Sequence, residues 1–301
     1  MSKTPEGSAG RRREREPRDD DDDDGRATTA RAMATFETDA ARERDARGRA
    51  YVAHWDAVYR EQPSQLNREW HASAAACLDV ARGHVVAAMR ASSSGRRVVV
   101  DVGCGSSSVG RAVLEEAAFE ARALVLLDCA PTVVDALREQ YAGDGRVRCE
   151  IGDARDLREV LEDASTAVAI DKGTLDALNG DDDKRAMLEE MVRILEEDGV
   201  IVSVSFASVG RFFFLKRETA RLGLTWRFRV VAEGDPARGH SAVFVSVLHR
   251  ASRAETFRDV AFEEDALTRT LVRRMETSGS IIEDDDDDDE ARLDFSRDEE
   301  L

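Results

Sequence analysis

The sequence predicts an α/β protein built on a doubly wound, mostly parallel seven-stranded sheet, with helices on both faces and an antiparallel C-terminal hairpin. Three observations predict this fold. Short β-branched runs alternate with helix-like segments, which is typical of right-handed βαβ units. Most runs are apolar throughout, as in strands that are buried on both faces. The last two predicted strands are joined by a loop with Gly and Pro and not by a helix. This connection indicates a hairpin.

The seven predicted strands are short apolar runs bounded mainly by turn-forming residues. They lie at residues 97–102, 123–127, 147–151, 166–170, 200–206, 225–231 and 241–249. The predicted helices lie at 109–120, 131–140, 154–162, 184–196, 208–222 and 253–275, and residues 31–90 are predicted to be mainly helical. Pro131 suits the first turn of its helix. Asp198 and Gly199 are predicted to end the helix that precedes the fifth strand.

One domain is expected between two charged tails. Residues 1–30 and 278–301 are poor in apolar residues and are predicted to be disordered. The domain is predicted at 31–277, with an N-terminal helical cap (31–95), a core (96–250) and a C-terminal helix (251–277). The net charge is −18, and residues 283–301 carry −10 of it, from 12 acidic and 2 basic residues.

Composition argues against several classes of protein. The excess of acidic residues argues against a general nucleic-acid binder. No apolar run is long enough for a transmembrane helix and no secretory signal is recognisable, so we expect no membrane partner and a cytoplasmic location. The four cysteines and five histidines lack metal-ligand spacing, so no metal site is predicted and no histidine is assigned a role. The oligomeric state is left open.

Acidic side chains follow four successive predicted strands. They are Asp101, Asp128, Asp153 and Asp171. Ligands of an open parallel sheet bind outside the carboxyl ends of its strands, so these residues are expected to form one site. Asp101 can face a cationic ammonium group. Asp128 suits ribose hydroxyls, and Asp153 can accept a hydrogen bond from an adenine amine.

A glycine-containing turn connects the first strand to the next helix. Gly103 and Gly105 permit a tight turn and close approach of a ligand to the backbone. A dinucleotide-binding fingerprint would place a third Gly where this chain has Ser108. The absence of this third Gly argues against a nicotinamide cofactor.

Several segments resemble motifs of the seven-strand, class I S-adenosylmethionine-dependent methyltransferases, which have a Rossmann-like fold. VVVDVGCGSSSVG (98–110) is similar to their motif I, LVLLDCA (124–130) to their ribose motif and CEIGDARDL (149–157) to their adenine motif. AIDKGTLDAL (169–178) resembles the signature of a branch that contains lysine methyltransferases of elongation factor 1-alpha and a relative acting on citrate synthase. Leu175 fits the elongation-factor enzymes better, because the citrate synthase type tends to carry Trp there.

The resemblance extends over residues 51–249 and includes an N-terminal stretch. Trp55, Asp56 and Tyr59, followed by Glu69 and Trp70, are similar to that branch's opening segment. Many relatives have Gly-Cys-Gly-Asn-Ser in the glycine loop, and this chain departs from that pattern by carrying Ser106 before Ser107. The resemblance implies S-adenosylmethionine as cofactor and a protein lysine as methyl acceptor. The cofactor contacts that it implies are Asp101, Gly103, Cys104, Gly105, Asp128, Cys129, Asp153, Ala154 and Asp171.

Methyl transfer to an amine requires alignment and a deprotonated nucleophile. A lysine has an ordinary pKa of about 10.4, so the enzyme must favour the neutral amine. Asp171 is the candidate for contact with the cofactor ammonium or the acceptor amine. Trp55, Tyr59 and Trp70 are candidates for the channel that receives the lysine, through cation–π attraction. Lys172 is a candidate to pair with Asp171 or Asp176, and a solvated surface lysine is the alternative. Packing of the N-terminal helix on the sheet is the alternative for these three aromatic residues.

Three other functions stay open at this point. The same catalyst could act on a small metabolite, if a deep pocket lies under the N-terminal helix. An inactive methyltransferase fold could use its acidic tails to bind a basic partner. A nicotinamide oxidoreductase is disfavoured by Ser108 and by Asp153.

Overall fold

The computed structural model describes residues 22–232 and 242–282. The chain divides into two compact units, residues 1–50 and residues 51–301. The described part of the first unit is helical up to Ala50. The second unit contains the sheet and all the residues discussed below.

The sheet has seven strands, and the predicted fold is confirmed. They are β1 (Val98–Val102), β2 (Ala123–Asp128), β3 (Val147–Ile151), β4 (Thr166–Lys172), β5 (Leu195–Phe206), β6 (Leu224–Ala232) and β7 (Val243–Arg250). Their order is β3-β2-β1-β4-β5-β7-β6. β1 to β5 pair in parallel, and β7 is antiparallel to both β5 and β6. The order reverses beside β1, which places a crevice at the carboxyl ends of β1 and its neighbours.

Eight helices occur in the part of the chain that the structure describes. They are α1 (Asp22–Glu61), α2 (Ala74–Ala91), α3 (Val109–Glu115), α4 (Pro131–Gln140), α5 (Thr174–Ala177), α6 (Gly180–Ile194), α7 (Val209–Arg221) and α8 (Ala266–Ile282). Among these helices, none is long and apolar enough to cross a membrane. α1 begins at Asp22 and α8 ends at Ile282, so both predicted tails are partly helical. Residues 1–21 and 283–301 lie outside the described residues.

Two apolar layers cover the two faces of the sheet. Successive residues of a strand point to opposite faces, so Leu124 and Leu126 pack on one layer and Val125 and Leu127 on the other. α2, α3 and α4 contribute to the first layer, whereas α5, α6, α7 and α8 contribute to the second. The core therefore fixes the strands from both sides and leaves their carboxyl ends as a rigid edge.

Two predicted elements differ from the structure. Residues 154–162 form turns instead of a helix, because side chains bind the main-chain N–H groups: Asp153 accepts from Arg155 N (2.9 Å) and Glu190 from Leu157 N (2.7 Å). β5 begins at Leu195, immediately after α6, so the Asp198–Gly199 pair lies within the strand. The register between β4 and β5 shifts at this point, which accommodates the extra residues.

Candidate active site

The predicted acidic residues meet at the carboxyl edge of the sheet. Asp101 lies in β1 beside Leu126 of β2 and Ile170 of β4. Asp128 ends β2, Asp171 lies near the end of β4, and Asp153 follows β3 by two residues. Parallel strands bring residues that are far apart in sequence to one edge, as the strand pattern predicts.

The glycine loop is held between β2 and α1. Gly103 and Gly105 have φ values of +65° and +48°, which only glycine adopts without strain. A Cβ atom at Gly103 would lie 2.2 Å from Thr174 Oγ1, and one at Gly105 would lie 2.6 Å from the hydroxyl oxygen of Tyr59. The loop therefore tolerates no side chain at either position.

Asp128 organises this loop and remains beside it. Its Oδ2 accepts from Gly105 N (2.9 Å) and its Oδ1 from Ala130 N (2.9 Å). Each carboxylate oxygen can accept a further hydrogen bond, so both stay able to bind hydroxyl groups of a ligand. Burial raises the pKa values of the neighbouring Cys104 and Cys129 thiols. These thiols are therefore protonated and are not nucleophiles.

Asp101 is the least satisfied carboxylate of the site. It is fully buried, its Oδ2 accepts from Gly110 N (3.2 Å), and its Oδ1 has no hydrogen-bond partner. Burial raises its pKa to about 7, against the attraction of Lys172. A buried acceptor without a donor is destabilising, so this oxygen is suited to a cationic donor from a ligand.

Asp153 is oriented by an ion-pair network. Its Oδ2 accepts from Arg155 Nη2 (2.7 Å), and Arg155 Nη1 lies 3.0 Å from Asp183 Oδ2. Asp183 in turn accepts from the hydroxyl of Tyr51 (3.0 Å). Because 40% of the Asp153 side chain is exposed, its carboxylate is fixed in direction and still accessible. Ala154, the next residue, is buried.

Asp171 lies behind the edge, fully buried. Its Oδ1 accepts from Thr174 N (2.9 Å) and Leu175 N (3.1 Å), and its Oδ2 accepts from Ser203 Oγ (2.6 Å). These three donors hold the start of α5 against β4 and β5. The contacts therefore indicate a positioning residue, instead of the predicted direct contact with the cofactor or the acceptor amine.

Trp55 and Tyr59 lie one turn apart near the C-terminal end of α1. Their ring centroids are 6.3 Å apart, and Trp55 meets Trp70 edge to face at 6.5 Å. Tyr59 is 5% exposed and its hydroxyl lies over Gly105. Burial raises its pKa, so it is a neutral phenol. Tyr59 thus packs against the glycine loop, and Trp55 belongs to an aromatic group beside it.

The family comparison identifies the chemistry of this edge. Residues 99–199 match the model of a family described as a methyltransferase domain. The chain carries a methyltransferase domain. The match spans β1 to the middle of β5 and thus all four acidic strand ends. S-adenosylmethionine is its cofactor, which decides against the nicotinamide oxidoreductase.

Solved structures similar to this chain include proteins from different sources. One is a protein of echinomycin biosynthesis, from work on the conversion of a disulfide bond into a thioacetal group; it has 19% identity and a TM-score of 0.47, over 69% of this chain and 96% of that one. Another is the PH0226 protein of Pyrococcus horikoshii OT3, with 15% identity and a TM-score of 0.45, over 64% and 97%. A third is an S-adenosylmethionine-dependent methyltransferase of Methanosarcina mazei, with 13% identity and a TM-score of 0.40, over 51% and 92%. No curated protein matches the chain.

The residues of the edge fit S-adenosylmethionine. The bare Oδ1 of Asp101 suits the ammonium of its methionine part, and the side-chain-free loop at Gly103 and Gly105 leaves the backbone accessible. Asp128 has acceptor capacity for ribose hydroxyls, and Asp153 for the adenine amine. When bound, the cofactor supplies an electrophilic methyl group on a sulfonium. The methyltransferase domain itself supplies the hydrogen-bond acceptors and the glycine loop.

A second group of residues, which the sequence did not predict, lies next to the glycine loop. His71 Nε2 lies 3.0 Å from Asp176 Oδ2, and Asp176 Oδ1 accepts from Arg211 Nη2 (2.8 Å). The His71 ring lies against that of Phe206 of β5, with centroids 4.2 Å apart and the ring planes tilted by 32°. His71 and Asp176 are 105 positions apart, so no local spacing indicates the pair. The one feature of the sequence that could have indicated this pair is the histidine directly after Glu69 and Trp70.

Lys172 is buried and does not pair with Asp171 or Asp176 as predicted. Its Nζ lies 2.5 Å from Glu69 Oε1 and donates to the carbonyl oxygen of Trp70 (2.7 Å). Glu69 Oε2 in turn accepts from Ser108 Oγ (2.5 Å), at the start of α3. Glu69 therefore connects the end of β4 with the helix that follows the glycine loop.

Proposed function

We propose that this methyltransferase modifies a lysine side chain of a protein, with elongation factor 1-alpha as the first candidate acceptor. The supporting observation is that two segments resembling the elongation-factor branch meet in space. Lys172, from AIDKGTLDAL, binds both Glu69 and Trp70 of the N-terminal stretch. The two motifs thus form one structural unit beside the glycine loop, although about a hundred residues separate them.

The aromatic surroundings support an amine acceptor. Trp55, Trp70 and Phe206 lie around the carboxyl edge, and 39% of Phe206 is exposed. Such rings attract an ammonium group through cation–π contacts and, once water is excluded, favour its neutral form. Arg68 already lies over Trp70, 3.9 Å from the ring centroid. Trp55 is therefore the better candidate to meet an incoming lysine.

The acidic tail supports a basic macromolecular acceptor. Residues 283–301 carry a charge of −10, which would raise the rate of encounter with a basic protein without forming the site. Deleting this segment should lower kcat/KM toward elongation factor 1-alpha at low salt and have little effect at high salt. An unchanged rate with unchanged salt dependence would contradict steering. An elongation factor acceptor also fits the expected cytoplasmic location.

The test is transfer of labelled methyl groups to purified elongation factor 1-alpha and to proteins of a cell extract. Wild type is compared with Gly103→Arg. The Arg side chain overlaps Thr174, because even a Cβ atom at position 103 would lie too close to it. Gly95→Arg is the matched control, because Gly95 also has a positive φ (+63°) but has open space around it, at the opposite end of β1. We expect a labelled band with wild type and Gly95→Arg and none with Gly103→Arg.

Two other results would replace the proposal. Cofactor binding without any labelled protein would indicate a small-molecule acceptor. Absence of cofactor binding would indicate an interaction protein with an inactive methyltransferase fold.

A further inference from the structure

We propose that His71, oriented by Asp176, accepts the proton that the acceptor amine loses before methylation. The inference rests on the proposed function, because it assumes an amine acceptor. The residues concerned, His71, Asp176 and Phe206, lie together beside the glycine loop. Neither His71 nor Phe206 lies within the segment 99–199 that matches the methyltransferase family.

The hydrogen bonds of the pair determine which ring nitrogen is free. Asp176 is held ionised: although burial opposes this, contacts with His71 and Arg211 lower its pKa. A carboxylate only accepts hydrogen bonds, so His71 Nε2 must carry the proton that it shares with Asp176. In the neutral ring, Nδ1 then has a lone pair. It is buried and has no hydrogen-bond partner.

The ring lies against the turn that follows β4, and this turn contacts the glycine loop. A Cβ atom at Gly173, directly after β4, would lie 2.8 Å from His71 Nδ1 and 2.3 Å from Cε1. The next residue, Thr174, touches the glycine loop, since its hydroxyl donates to the carbonyl oxygens of Val102 (2.9 Å) and Gly103 (3.1 Å). His71 is thus separated from the cofactor loop by the width of the turn that follows β4.

The segment that carries His71 is held rigidly. Lys172 binds the carbonyl oxygen of Trp70 and the carboxylate of Glu69, and Glu69 also binds Ser108. His71 itself has a φ of +61°, a conformation that is unfavourable for a histidine and is kept only by its surroundings. The Phe206 ring covers the imidazole at 4.2 Å. Such preorganisation is what a proton acceptor in an active site requires.

Proton transfer and methyl transfer need only the acceptor amine, the cofactor, His71 and Asp176. The acceptor ammonium transfers a proton to Nδ1, which gives a neutral amine and an imidazolium, and Asp176 stabilises the new positive charge. The nitrogen lone pair then forms a bond to the methyl carbon while the bond from that carbon to sulfur breaks, and its electron pair stays on sulfur. The products are a methylated ammonium and the neutral thioether. His71 returns its proton to solvent after release.

The first test is independent of activity. The ¹⁵N chemical shifts of the histidine ring nitrogens in the full chain, assigned by comparison with His71→Asn, report which nitrogen is protonated. We expect an Nε2–H tautomer with a bare Nδ1 at pH 8. A proton on Nδ1 at this pH would overturn the inference, whether or not the protein methylates lysine.

The second test is kinetic, with elongation factor 1-alpha as the acceptor. Asn suits a positive φ and can still donate to Asp176, so His71→Asn removes mainly the proton acceptor. We expect kcat/KM to fall roughly 100-fold at pH 7 with unchanged cofactor affinity. The deficit should narrow at least about tenfold by pH 9.5, because more of the lysine is then already neutral. If His71→Asn fails to bind the cofactor, His71→Gly, which also tolerates this φ, replaces it.

The charged groups around His71 are retained in these variants. They are Asp176 from α5, Arg211 from α7, and Asp171 and Lys172 from β4, of which Asp171 interacts with Asp176 and Lys172 binds the residue before His71. A deficit of the same size at every pH would make His71 a structural residue and overturn the inference. A wild type that labels no protein would instead contradict the proposed function, and the NMR result would still decide the state of Nδ1.

Discussion

Asp101 is expected to strengthen cofactor binding and to destabilise the folded protein, and both effects can be measured. Its carboxylate is fully buried, and its Oδ1 is without a partner. Burial raises its pKa from the ordinary 3.8 to about 7. The folded state therefore binds this proton more tightly than the unfolded state does. Stability is lost as the pH rises from about 4 to about 7, and no more is lost above that.

The expected magnitude follows from this difference. At about 1.4 kcal/mol for each pH unit, ionising Asp101 destabilises the fold by up to about 4 kcal/mol above pH 7. Asp101→Asn removes the charge and can keep the bond from Gly110 N. We expect it to be more stable than wild type at pH 8, while its affinity for S-adenosylmethionine falls at least about tenfold, because the ammonium loses its anionic partner.

The assay is urea unfolding of both proteins without cofactor at pH 5.5, 6.5, 8 and 9, with calorimetry for cofactor affinity at pH 8. The stability gap should grow by about 2 kcal/mol between pH 5.5 and 8 and then stay constant. Asp171→Ala is the contrasting variant. Because Asp171 accepts from three donors, its loss should destabilise the fold by about 2–4 kcal/mol at pH 8. A pH-independent gap, or an Asp101→Asn variant less stable than wild type at pH 8, would refute the reasoning.

Four further substitutions separate packing from binding. Lys172→Met should lower the free energy of unfolding by about 2 kcal/mol in urea, less than for a fully buried ion pair because Glu69 is a third exposed. His84 is buried with both ring nitrogens unpartnered, and burial lowers its pKa to about 4. Wild type should therefore lose stability as the pH falls from about 6.5 toward 4, and His84→Leu should gain more in Tm at pH 5.5 than at pH 8; an equal gain would contradict this. Tyr59→Ala should weaken cofactor binding about tenfold, whereas Trp55→Ala should leave it unchanged and lower kcat/KM for the protein acceptor. Equal effects of these two substitutions on cofactor affinity, measured by calorimetry, would contradict the assignment.

The sheet was predictable because its strands are buried on both faces and are therefore apolar runs. The acidic strand ends were predictable for a related reason: a parallel sheet brings its carboxyl ends to one edge. Residues 154–162 were predicted wrongly, because the carboxylates of Asp153 and Glu190 bind main-chain N–H groups that a helix would use. Helical periodicity does not reveal such local competition.

Pairings across the site were the less predictable part. Lys172 was expected to bind a carboxylate nearby in sequence but binds Glu69, because the turn after β4 lies against the segment that follows α1. The pair of His71 and Asp176 depends on the same long-range contact. Asp171, in turn, has the burial of a core residue and the hydrogen bonds of a helix cap, which its place in a motif did not indicate.

Glu69 has a consequence for the order in which ligands act. One of its oxygens binds the ammonium at the end of β4 and the other binds the first turn after the glycine loop. Any displacement of that loop by the cofactor would thus be transmitted through Glu69 to the segment that carries His71. We expect the affinity for the acceptor to depend on whether the cofactor is bound, and by thermodynamic linkage each ligand would change the affinity for the other by the same factor. Glu69→Gln, which keeps the shape and weakens both contacts, would make the two binding events more independent.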